Sequence, residues 1–196
     1  ANEVTTEWSR VLAGKENAAT LTLRVEPREQ GAGNSYTCSV HDGNIPNEIY
    51  EAIESGIKNS LDSGIQYGYP CTDTAVTVTA IGYNELTATP LAFASCAAQA
   101  FDEATGKASP ELLEPVMNVD ISCPVEFVGD AISQIIQRGG QVNGQDSKSS
   151  GEIVHATAPM AKMFGFSTNL RSVTQGRASF SMEFSHFQVK AGGLGA

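Results

Sequence analysis

Apolar and polar residues alternate along several short stretches of this chain, and elsewhere recur at the three-to-four spacing of a helix. In the first half Leu21, Leu23 and Val25 alternate with Thr22 and Arg24, which predicts a half-buried strand. Gly31, Gly33 and Asn34 predict a turn, and Tyr36 to Val40 a second strand. Ile49, Ile53, Ile57 and Leu61 then fall four apart, one apolar stripe of a helix with Asn47 placed to cap it. Its other face carries Glu48, Glu51, Glu54 and Lys58, a solvated surface. Val76, Val78 and Ala80 against Thr77 and Thr79 predict a third strand, and Pro90 opens an Ala-rich helix that ends near Gly106.

After Pro115 the pattern becomes more regular. Met117, Val119 and Ile121 share one face of a strand. Pro124 opens a helix with an apolar stripe of Phe127, Val128, Ala131, Ile132, Ile135 and Ile136. Strands are predicted at Gln141–Gln145 and Ile153–Ala158, a helical segment at Lys162–Gln175 weakened by Gly165, and a last strand carrying Phe180, Met182 and Phe184. The order β-α-β-β-α-β is that of a ferredoxin-like domain. The expected class is therefore α+β in two domains, residues 1–114 and 115–196.

Charge sharpens the division. The net charge of −10 comes from 12 Lys and Arg against 22 Asp and Glu. Residues 1–115 hold 6 of those cations and 16 of the acids, so residues 116–196 are neutral with 6 of each. That balance excludes a generic nucleic-acid binder, whose surface would be basic throughout. No run approaches the roughly 20 apolar residues of a membrane helix, and the first residues lack a secretory pattern. A cytoplasmic chain is expected, with no membrane partner. Cys38, Cys71, Cys96 and Cys123 contain no close pair, so they read as small buried thiols, not as metal ligands or disulfides.

Longer words in the sequence carry a family resemblance. APMAKMFGFSTNLRSVTQGRASFSMEFSHF (158–187) resembles the carboxy-terminal signature of bacterial elongation factor G, a translational GTPase. PVEFVGD (124–130) and GQVNG (140–144) match in order, and GYPCTDTAVTV (68–78) and LLEPVM (112–117) resemble the same family more loosely. The resemblance implies that residues 1–114 are domain IV, a β/α domain like the second domain of ribosomal protein S5 with a left-handed β-α-β crossover. It implies that residues 115–196 are domain V, a ferredoxin-like module. The implied partner is the ribosome: domain IV faces the tRNA–mRNA duplex at the decoding centre, and domain V faces large-subunit rRNA. A monomer acting in tRNA–mRNA translocation is expected. Ribosome recycling is the alternative within the family, and a small-molecule-binding ferredoxin-like module the alternative outside it.

No G-x-x-x-x-G-K-[ST] phosphate loop occurs, and Gly139-Gly140 and Gly192-Gly193 read as turns. The chain is therefore expected to hold no cofactor and catalyse nothing; GTP and Mg would belong to other domains of the parent. At the two places where domain IV presents tip loops, this sequence has Lys15, Glu16, Asn17 and Ala18, then Asn84, Glu85, Leu86 and Thr87. The family's glycine-rich and His-containing tip motifs are replaced there, as in a divergent copy of the factor. In domain V the expected rRNA-facing residues are Arg138, Lys162, Arg171 and Arg177, as phosphate contacts. Phe164 and Phe166 offer either stacking platforms or core; core explains both better. His41, His155 and His186 lack a nucleophile elbow or metal spacing, and His186 continues the core-side alternation of the last strand.

Overall fold

A computed structural model describes residues 1–65, 68–149 and 151–190 of the 196, so the terminal Gly192-Gly193 turn lies outside the described residues. The chain divides into two compact units, Ala1–Pro110 and Glu111–Ala196.

The first unit is a four-stranded sheet ordered β1-β2-β4-β3, built from β1 (Asn2–Leu12), β2 (Lys15–Pro27), β3 (Ser35–Cys38) and β4 (Thr74–Gly82). β1, β2 and β4 pair antiparallel, whereas β3 and β4 run parallel and are joined through α1 (Asn47–Ser63). β1 is an element the sequence pattern does not predict. Its inward positions are Val4, Thr6 and Trp8, and the polar Thr6 interrupts an otherwise readable alternation. Thr6 is tolerated there because its hydroxyl donates to the Glu103 carboxylate at 2.8 Å. On β2, Ala19, Leu21, Leu23 and Val25 face the same core as Val76 and Val78 of β4.

α1 and α2 (Pro90–Gly106) cover that core. Ile49, Ile53, Ile57 and Leu61 are buried, as their spacing predicts. Asn47 is the first helical residue and Pro46 occupies the cap, so the expected Asn47 cap is not made. α2 begins on Pro90, with the Thr89 hydroxyl accepting from Ala92 N at 3.2 Å. Its many alanines let α1 approach closely: a Cβ on Gly56 would lie 2.7 Å from the Ala94 carbonyl oxygen.

The second unit is β5 (Leu113–Cys123), α3 (Val128–Gln137), β6 (Gln141–Lys148), β7 (Gly151–Pro159), α4 (Phe166–Val173) and β8 (Ser179–Val189). Its antiparallel sheet runs β6-β7-β5-β8, the ferredoxin-like order. Pro115 lies inside β5, paired with Phe187. A 3-10 turn, Val125–Phe127, separates Pro124 from α3, whose Ala131 and Ile135 are buried while Ile136 is exposed. The predicted helical run 162–175 is broken by Gly165, which sits left-handed at φ 70° and caps α4.

β8 departs from simple alternation. Met117 pairs with Phe184 but Val116 pairs with His186, so Ser185 is an inserted bulge residue. The extra residue shifts the phase. His186 is exposed, not on the core side, and its Nδ1 lies 3.0 Å from the Ser185 hydroxyl.

Candidate functional site

The far end of the first unit is a two-stranded arm. Ala13 and Gly14 both have positive φ (50° and 78°), as a two-residue type I′ hairpin turn requires. Pairing therefore resumes at once, with Leu12 opposite Lys15, Val11 opposite Glu16, Arg10 opposite Asn17 and Ser9 opposite Ala18. β4 joins β2 only from Thr20 onward, so Lys15–Ala19 pair with β1 alone. The expectation that Lys15, Glu16, Asn17 and Ala18 form a loop is thus corrected: they are strand. Asn17 is also withdrawn from the surface at 7% exposure, its side-chain amide donating to Lys15 O at 2.9 Å.

The second predicted element of the tip is a loop. Asn84 Oδ1 accepts from Leu86 N at 3.0 Å, and Asn84 O accepts from Thr87 N and Ala88 N. This self-bonded turn docks on the arm, with Ala18 N donating to Thr87 O at 2.9 Å. The structure thus brings Ala18 and Thr87 together. An open cleft of about 290 Å³ lies between the two pieces, lined by Ala18, Thr20, Tyr83, Asn84 and Thr87. Lys15, Glu16, Glu85 and Leu86 are exposed, Leu86 at 78%. Pattern reading missed the opposite strand of the arm. There Arg10 lies over the Trp8 ring, 5.6 Å from its centroid, and Val11 and Leu12 are exposed.

The four predicted cations of the second unit fall into two pairs. Arg138 donates to the Gln134 side chain at 3.0 Å and lies over the Phe166 ring at 5.3 Å. Arg177 pairs with Glu126 and lies 4.7 Å over the Phe127 ring. Both are held by their own domain. Lys162 and Arg171 are exposed, and their side chains make no hydrogen bond or ion pair among the described residues.

The remaining polar candidates separate. His155 on β7 lies between two carboxylates, Nδ1 2.7 Å from Asp120 and Nε2 3.2 Å from Asp146. The Asp120 hydrogen bond, then that of Asp146, holds its pKa above the ordinary histidine value. His41 belongs to the first unit, where it lines an open cleft of about 600 Å³ with Cys38, Asp42, Tyr50 and Glu51. The three histidines thus lie apart in the fold, His41 in a loop of the first unit, His155 on β7 and His186 on β8. All four cysteines are free thiols; burial pushes Cys96 up to about 11. Phe164 and Phe166 are divided: Phe166 is core, edge-on to Phe180 at 4.9 Å, whereas Phe164 is 92% exposed.

The chain is thus two consecutive α+β units, the first carrying an arm and the second ferredoxin-like, and comparison with known families assigns each of them. Residues 1–109 match the model of elongation factor G domain IV, and residues 111–194 match that of the elongation factor G C-terminus. The chain belongs to the elongation factor G family. It is 54% identical over 195 residues to elongation factor G 1 of Treponema denticola, covering 95% of this chain and 29% of that protein. It is 50% identical over 194 residues to elongation factor G 2 of Treponema pallidum, covering 95% and 28%. A crystal structure from Thermus thermophilus superposes with TM-score 0.87 at 29% identity, covering 97% of this chain and 28% of that one. The chain thus spans less than a third of the relatives it matches. No described helix is long and apolar enough to cross a membrane.

Proposed function

We propose that this chain is the ribosome-contacting carboxy-terminal part of an elongation factor G-type protein, with domain IV reaching toward tRNA and mRNA and domain V resting on large-subunit rRNA. Its role is mechanical: positioning during translocation, with GTP hydrolysis carried out by parts of the parent that this chain does not include. The observation that carries the reading is the braced arm. Body and helices bury their own side chains, while the arm and the Asn84–Thr87 turn project exposed Lys15, Glu16 and Leu86 from a pinned backbone. The exposed cations Lys162 and Arg171 supply phosphate contacts on the second unit.

Co-sedimentation with 70S ribosomes and separated subunits across a salt series tests this. Saturable, salt-sensitive binding is expected, weakened by K162A/R171A on large subunits and by K15E/L86A on small subunits. Absence of saturable binding at low salt would overturn the proposal. Binding to 70S ribosomes that accelerates their separation into subunits would move the role from translocation to recycling.

A further inference from the structure

We infer that Phe164 is a stacking platform for an unpaired base of ribosomal RNA. The inference rests on the ribosomal reading above and adds the residue and the chemical group it meets.

Phe164 is the most exposed large apolar side chain among the described residues. Isolated surface apolar residues need no explanation, but this one is not on a loose loop. Phe166 N donates to Met163 O at 3.1 Å, closing a four-residue turn with Phe164 and Gly165 at its centre. Gly165, at φ 70° and ψ 4°, supplies the left-handed third position of a type II turn. On one side Met163 N donates to Met160 O; on the other Asn169 N donates to Gly165 O. Met163 and Phe166, the residues bracketing the turn, are both buried. The chain therefore anchors both shoulders of the turn in the core and holds the intervening ring out in water. A ring held this way has already lost much of the backbone freedom that binding would otherwise remove.

The surroundings favour a base over a protein partner. Lys162 is exposed two residues before the ring, and Arg171 is exposed on the helix that the turn opens. An exposed aromatic ring on a segment that also carries exposed cations suits a nucleotide, whose base can meet a ring face and whose phosphates can meet an ammonium or guanidinium.

The test uses the full chain and isolated large ribosomal subunits. Since Phe164 makes so little contact with its own domain, F164A should leave thermal unfolding unchanged. It should weaken binding roughly five- to 150-fold, the range for losing one stacked base. F164Y should bind like the parent chain. F164L, which keeps apolar area but has no ring face, should bind like F164A. A photo-crosslinking phenylalanine analogue at position 164 should label ribosomal RNA. Equal binding by F164A and the parent chain overturns the inference while leaving the ribosomal reading intact. Retention by F164L, or crosslinking to ribosomal protein alone, also overturns it, in favour of an apolar protein contact. If the parent chain itself fails to bind, the ribosomal reading fails and this inference with it.

Discussion

Replacing Gly56 by alanine is expected to destabilise the first unit, against the usual sign for glycine in a helix. In an unobstructed helix the change stabilises by roughly 0.5–1 kcal/mol, because glycine gives up the most backbone freedom on folding. Gly56 lies where α1 meets α2, and the added methyl would sit 2.7 Å from the Ala94 carbonyl oxygen and 3.2 Å from Ala94 Cα and Ala97 Cβ. Two of those three atoms are backbone, so no rotamer change relieves the contact. Ordinary contact needs α2 to retreat by roughly half an ångström or more. That retreat would loosen Phe93, Cys96, Ala100 and Phe101, all fully buried on α2. Overpacking of this kind costs about 1–3 kcal/mol, and a mid-range cost of about 2 kcal/mol less the propensity gain leaves a net loss of roughly 1–1.5 kcal/mol. Trp8 is the single tryptophan and lies in this core, so its fluorescence during urea unfolding reports on this unit. With a slope of about 1–1.5 kcal/mol per molar urea, the midpoint should fall by roughly 1 M. A midpoint that stays or rises would refute the claim that α2 cannot yield.

Three further expectations follow from single contacts. G129A is the contrast: Gly129 lies in α3 with nothing within 4 Å of where the new methyl would sit, so far-UV circular dichroism should show stabilisation of up to about 0.5–1 kcal/mol. T89A removes the hydroxyl that accepts from Ala92 N and should cost about 1 kcal/mol by the Trp8 signal, whereas T89S should cost little. An NMR titration of His155 should give a pKa above about 6.5, lowered by D120N and by D146N. Because the folded value is raised, the contribution of this charged cluster to stability is fully present below the unfolded pKa. It disappears as pH rises through the folded value. A titration at or below about 6.5 would show that the two carboxylates do not hold the proton.

The elements most visible in the sequence are those whose buried faces are uniformly apolar. The α1 stripe of isoleucines and the alternation of β2 and β4 are of this kind, because periodic burial writes itself directly into residue type. β1 is hidden because Thr6 occupies an inward position, and its partner Glu103 is nearly a hundred residues away. The loop expected at residues 15–18 comes from the family resemblance, and the hairpin that replaces it is hidden because Ala13, at positive φ, is not one of the residues that mark such a turn. The face on which His186 lies is set by the Ser185 bulge, which only pairing with β5 reveals, and Met182 and Phe184 before the bulge are themselves exposed. Phe164 and Phe166 look equivalent two residues apart; Gly165 between them sends one into the core and leaves the other in solvent. The candidate cations are visible as residue types, but which of them are already engaged is not. Glu126 and Gln134 decide that through folding.

The narrowing of the sheet to two strands beyond Thr20 also affects how freely this protein can change. In the body, Leu21, Leu23 and Val78 are enclosed on every side, and almost any replacement there costs folding energy. On the arm, Val11, Lys15 and Glu16 have little around them but solvent and one neighbouring strand. Substitution there is nearly free for the fold. Residue identity at the tip is therefore left for binding to choose, and a tip sequence can drift or be retuned while the scaffold that carries it stays fixed.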